Sequence, residues 1–145
     1  MKQASNTINA KESEPSSSVD LEMLGSILHW IGHDQIAMGD IGRTLVLQGE
    51  FSAARAVLDN AEMPPFSHVW TISVGHTYLL QGDQETAHTW YQMALPMILN
   101  KEVLKSGPLA DFDHFIEHGW QVDACREERA WMAQAYAKLF PKDLR

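Results

Sequence analysis

The sequence predicts an all-helical protein, and three observations carry that expectation. The chain repeats itself at a spacing of 33 residues, each repeated unit reads as helix, glycine–acid turn, helix, and small residues recur where the two helices of a unit must meet. A shift of 33 places Gly42 on Gly75, Leu45 on Tyr78, and Leu47-Gln48-Gly49-Glu50 on Leu80-Gln81-Gly82-Asp83. Ala54 then falls on Ala87, Leu58 on Tyr91 and Ala61 on Ala94. One helical hairpin cannot bury its apolar face alone, so units of this kind stack.

Taken in order, residues 1–18 are rich in Ser, Asn, Glu and Lys and have almost nothing to bury, which predicts a disordered tail. Residues 19–145 are expected to form one domain. Ser18 is a suitable N-cap for a first helix, with Asp20 and Glu22 at its positive end; Leu21, Leu24, Leu28 and Ile31 follow at helical spacing and Gly32 stops it. In the two repeated units, Gly49 and Gly82 are expected to take the left-handed conformation that ends a first helix. Ala54 and Ala87, with Gly42 and Gly75, are expected at close helix contacts. Pro96 falls inside the second helix of unit two. Beyond Asn100, Gly107-Pro108 should break the chain, with Pro108 beginning a helix on Leu109, Phe112, Phe115 and Ile116 that Gly119 ends. A final helix follows, with Val122, Cys125, Ala130, Met132, Ala133, Tyr136 and Phe140 as apolar contacts. It completes a degenerate C-terminal hairpin that seals one end of the stack, while the helix at 19–31 seals the other.

The segment Val74-Gly75, Tyr78, Gly82-Asp83, Ala87, Tyr91, Ala94 closely resembles the tetratricopeptide consensus, and Ile41-Gly42, Leu45, Gly49-Glu50, Ala54, Leu58 and Ala61 match it in the first unit. Met38 and Thr71 stand at the consensus tryptophan position, with Trp70 one residue early. The period is one residue short of the usual ~34. The resemblance spans about residues 33–100 and implies a short right-handed stack of antiparallel helix hairpins. It also implies a concave surface, lined by the first helix of each pair, that holds a partner. By matching, that groove would carry Ile36, Gly39, Arg43, Val46 and Leu47 from unit one, and Val69, Ile72, His76, Leu79 and Leu80 from unit two. Such a groove is apolar, without the basic carboxylate clamps of chaperone-docking relatives, and suits an amphipathic helix or extended apolar segment. The competing reading is that the chain's own helix at 109–118, or its N-terminal helix, covers these residues.

Charge narrows the function classes. The net charge is −8, and residues 19–100 hold nine acids against Arg43 and Arg55 alone. Nucleic-acid binding needs a basic stripe, the reverse of this pattern. A basic protein partner is favoured, with solubility alone as the competing account. No apolar run reaches the ~18 residues of a membrane span. The polar N-terminus shows no secretory signal. Cys125 is the single cysteine, so a reducing cytoplasm fits.

Three constellations carry residue types that chemistry could use. His114-Phe115-Ile116-Glu117-His118 has the H-x-x-E-H pattern of a zinc site, with Asp111 and Asp113 near, but a third protein ligand is not apparent and no metal or cofactor is expected. His29 and His33 have i, i+4 spacing interrupted by Gly32, which favours structural or surface roles. Arg126 and Arg129 could lower the pKa of Cys125, yet a cysteine on an apolar helix face usually packs. The expectation is therefore no catalysis. The chain should bind another protein stoichiometrically, as a dedicated chaperone or adaptor for a secreted or assembling partner. Small acidic chaperones of bacterial type III secretion are similar in architecture. An immunity-type inhibitor of a basic toxin is the alternative, and a metal-dependent enzyme a weak third.

Overall fold

The computed structural model describes Glu22, residues 35–59 and residues 67–141. The tail at 1–18, most of the helix at 19–31, His29, His33 and Ala61 lie outside the described residues. Among the described residues the regular elements are all helical. The repeat is visible in the element bounds. Helix α1 runs Gln35–Leu47 and α2 runs Phe51–Leu58. Helix α3 runs His68–Leu80 and α4 runs Gln84–Ala94. The starts of α1 and α3, their ends, and the starts of α2 and α4 are each offset by the 33 residues of the self-match.

The caps explain the register. Gly49 and Gly82 sit at φ 83° and 95°, where a side chain would be strained. Gly49 N–H donates to Val46 and Glu50 N–H to Leu45, both at 2.9 Å; Gly82 donates to Leu79 at 3.1 Å and Asp83 to Tyr78 at 2.9 Å. This pair of hydrogen bonds satisfies carbonyls at the end of each first helix and turns the chain back. Asp83 also accepts from Thr86 N–H at 3.1 Å, whereas Glu50 makes no such cap. Inside each hairpin the small positions admit a large side chain from the second helix. A Cβ on Gly42 would lie 2.5 Å from Leu58 Cδ2, and one on Gly75 would lie 2.6 Å from Tyr91 Cε1. Ala54, Ala87, Leu58 and Tyr91 are wholly buried.

After α4 the chain departs from expectation in two places, both at prolines. Pro96 does not sit inside α4; the α-helix ends at Ala94 and Leu95–Met97 forms a 3-10 turn. The ring cannot donate the next bond of an α-helix, so the chain tightens and leaves. Gly107-Pro108 does not break the helical path. Helix α5 (Lys101–Leu104) passes through a π-turn at Lys105–Leu109 into α6, Ala110–Glu117. The wider turn moves the pairing by one residue and accommodates a proline that lacks its N–H.

Gly119 then repeats the earlier device, with φ 77°, its N–H donating to Ile116 at 3.0 Å and Trp120 N–H donating to Phe115 at 2.9 Å. Helix α7, Val122–Leu139, follows. Its fourth residue is Cys125, as Ala54 and Ala87 are the fourth residues of α2 and α4, and all three are 0% exposed. The third hairpin thus keeps the cap and the small contact of the first two. One hydrophobic cluster runs through all three hairpins, and Leu58, Trp70 and Val74 form a smaller one at which the Trp70 indole donates to the Leu58 carbonyl at 2.9 Å.

Candidate functional site

Helix α6 lies across the first helices of both repeats, and the groove is where it lies. Of the groove residues, Val46, Ile72, His76, Leu79 and Leu80 are buried. Arg43, Leu47 and Val69 are half-buried, Gly39 is buried, and the Ile36 side chain lies outside the described residues. At Val46, Ile72, His76, Leu79 and Leu80 the side chains are covered, while Leu47 and Val69 keep partial access to solvent. The chain's own helix at 110–117 meets this surface at Arg43, Leu47 and His76, where Phe112 and Phe115 are buried.

The contact is anchored by a polar network that spans four helices. Arg43 on α1 and His76 on α3 occupy matching positions in the 33-residue register, and both reach Asp111 on α6. Arg43 Nη2 donates to Asp111 Oδ1 at 2.6 Å, and its Nε lies 3.2 Å from both carboxylate oxygens. His76 Nε2 is 3.0 Å from Asp111 Oδ2, and its Nδ1 is 2.7 Å from the Tyr91 hydroxyl on α4. An ionised carboxylate only accepts, so Nε2 carries the proton; in the neutral ring Nδ1 then accepts from Tyr91 O–H. The imidazole is walled by Tyr91, Phe112 and Phe115, the last with ring centroids 4.9 Å apart. His114 Nε2 adds a bond of 2.7 Å to the Leu47 carbonyl.

The electrostatics follow from burial. Burial pushes the Asp111 carboxyl upward, but hydrogen bonds and charge from His76 and then Arg43 outweigh it and hold the group below its ordinary value. The hydrogen bond that Arg43 donates to Asp111 raises the Arg43 pKa in turn. Tyr91 is pushed well above its ordinary value, chiefly by burial, so its proton stays in place. His76 is 0% and Asp111 2% exposed, and only the Arg43 side chain, at 35%, reaches solvent. Buried in this way, the Asp–His–Tyr arrangement joins α3, α4 and α6.

A smaller network ties α4 to α7. Buried Glu128 accepts from Gln84 Nε2 at 3.0 Å and meets His88 Nδ1 at 2.7 Å, and His88 packs on the Trp131 ring. Neither acid was recognised from sequence as an anchor; Asp111 was noticed only as a neighbour of the histidine pair. The usable signal was its position: residues 108, 112 and 115 share one face, and Asp111 sits beside them while Arg43 stands in an otherwise apolar groove.

The remaining candidates take other roles. His118 Nδ1 bonds the His114 carbonyl at 2.9 Å and the two rings are 4.2 Å apart, while Asp113 is held by Arg129 at 2.7 and 3.0 Å. Among the described residues, no group of three or more His, Cys, Asp or Glu gathers as a metal site would require. Cys125 runs opposite to activation. Burial, and then the Glu128 charge, push its thiol up to about 12. Arg129 is occupied by Asp113, and Arg126 lies 4.0 Å from Asp123. No helix among the described residues is long and apolar enough to cross a membrane.

No protein-family model matches the chain, and no curated protein or solved structure matches it.

Proposed function

We propose that the chain is a non-catalytic, tetratricopeptide-like module that binds another protein stoichiometrically, as a dedicated chaperone or adaptor for a secreted or assembling partner. The observation that carries this reading is the duplication itself. Two hairpins in one register, with matching caps and matching small–large contacts, place equivalent side chains, Arg43 and His76, on a single residue of a crossing helix. The inner face of such a repeat is suited to grip a helix, and here it grips the chain's own. A partner is then left the half-buried rim at Leu47 and Val69 and the acidic outer surface, where Asp83 and Glu85 are exposed. The acidity of residues 19–100 favours a basic partner, and this also supports the second reading, an immunity-type inhibitor that masks a basic toxin.

Isolation of the full chain from its native cells should yield one partner near 1:1, whose association slows as salt rises. Replacing Glu85 and Asp59 by their amides should slow it further while dissociation changes little. Isolation of the chain alone, or a complex indifferent to both salt and the amide changes, sinks the acidic-surface reading. A partner that is a nuclease or other toxin inactivated by the complex selects the inhibitor over the chaperone.

A further inference from the structure

We propose that the outer face of α7 is a self-association surface on which two copies of this chain pair antiparallel, with Glu127 of each copy against Lys138 of the other. The proposal goes beyond partner binding and does not rest on it. One side of α7 is committed: Gln84 Nε2 donates to both Glu127 Oε1 and Glu128 Oε2 at 3.0 Å, His88 meets Glu128, and Trp131 packs its ring on His88. Beyond that contact a crevice of about 400 Å³ stays open, lined by Leu95 and by Trp131, Gln134, Ala135, Lys138 and Leu139 of α7. The α7 positions follow at steps of three and four, so they form one stripe. Leu139 is 48% exposed within it. The first hairpin packs against α3, and α4 packs against α7. Among the described residues nothing covers this stripe.

Charge identifies the occupant. One turn earlier on the same stripe stands Glu127, exposed to solvent while its Oε1 accepts from Gln84 Nε2 at 3.0 Å. Residues 127, 131, 134 and 138 fall on a single face, with an acid at one end, a cation at the other, and Trp131 and Gln134 between. Both charges are equally far from the midpoint of 131 and 134. A two-fold axis through that midpoint lays the helix antiparallel on its own copy and brings each acid opposite a cation. The stripe is therefore complementary to itself. Each chain has a net charge of −8, which opposes association, but α7 carries three acids and three bases and is locally neutral. Residues 130–139 contain Lys138 and no acid, and Lys138 makes no ion pair among the described residues. Ala130 and Ala135 flank the stripe and allow two backbones to approach.

One helix pair buries less than the ~1,200–2,000 Å² of a stable interface, so the dimer should be weak and reversible, in about the micromolar range. Sedimentation of the full chain from about 1 to 300 µM should show the 16.3 kDa species giving way to its dimer. Lys138→Glu and Glu127→Lys should each weaken the dimer about ten-fold or more by opposing like charges, and the double exchange should restore it. Circular dichroism on each variant separates lost pairing from lost folding. A wild-type chain at monomer mass throughout overturns the proposal, since the crevice is then covered by the chain's own remaining residues or takes a different protein. A dimer that tolerates both single changes, or that the double exchange fails to restore, overturns it equally.

Discussion

Asp111 concentrates the energetics at the scale of single residues. It joins α1, α3 and α6, and removing it leaves His76 buried with an unpaired Nε2–H and Arg43 without its chelating partner. Asp111→Ala should cost about 2–4 kcal/mol, the upper part for the stranded buried donor, since Arg43 can turn toward water. Urea unfolding at neutral pH checks the magnitude. The acid limb gives a sharper reading. The folded-state pKa of Asp111 is lowered, so its charged form contributes stability that is present above about pH 4 and is lost as pH falls through the folded value. Asp111→Asn should flatten the loss of stability in that window. Stability curves for wild type and Asp111→Asn that stay parallel down to acid would remove the network from the energetic account. Gly75 tests a different term. In a helix interior Gly→Ala ordinarily gains up to ~1 kcal/mol. Here the new Cβ meets the wholly buried Tyr91 ring at 2.6 Å, and that ring is held by His76. Overpacking at about 1–3 kcal/mol should win, so Gly75→Ala should lower the urea midpoint. A higher midpoint would show that the ring can retreat. The glycine is legible from the repeat; the histidine's two partners are not, because residues 15 and 35 positions away cannot be read from local spacing.

At the scale of elements, the repeat was the readable part and the prolines were not. Helix starts and ends, the left-handed caps at Gly49 and Gly82, and the stop at Gly119 follow from local chemistry: a glycine after an apolar run, with an acid or aromatic next. The cap recurs in the third hairpin with little sequence likeness to the first two, because it needs only backbone and one glycine. Pro96 and Pro108 show the limit of that local reading. Proline excludes the ordinary α-helical bond but leaves open what replaces it. After α4 the chain tightens to a 3-10 turn, while at Pro108 it widens to a π-turn, and the surrounding packing decides which. The widened path carries Phe112 and Phe115 into the core. Each second helix also depends on its small fourth residue. Ala87→Leu should insert a side chain at a wholly buried contact between α3 and α4 and cost about 1–3 kcal/mol, read as a shift in thermal midpoint. The same exchange at exposed Ala130 should change it by about 0.5 kcal/mol or less, and equal effects at both sites would deny Ala87 its role.

At the scale of the whole molecule, the third hairpin completes a core that two repeats leave open. That arrangement decides how any partner experiment is read. Leu79 was expected on the groove, yet it is 0% exposed, and Val46 and His76 beside it are equally buried. Loss of a large buried apolar side chain costs about 2–5 kcal/mol, and placing an unpaired carboxylate there adds several more. Domains of this size hold only about 5–15 kcal/mol in total. Leu79→Asp should therefore unfold the protein, and its failure to bind any partner would say nothing of an interface. Val69 is the contrast, a groove position on the same helix that stays half-buried. Val69→Asp can turn its carboxylate to water, so the helical circular dichroism should persist and the thermal midpoint should fall by only a few degrees, about 1 kcal/mol. The pair is best measured together, by far-ultraviolet circular dichroism and thermal melting. If Leu79→Asp keeps a cooperative helical melt near wild type, α6 does not seal the inner face in solution, and the groove would be open to another protein after all.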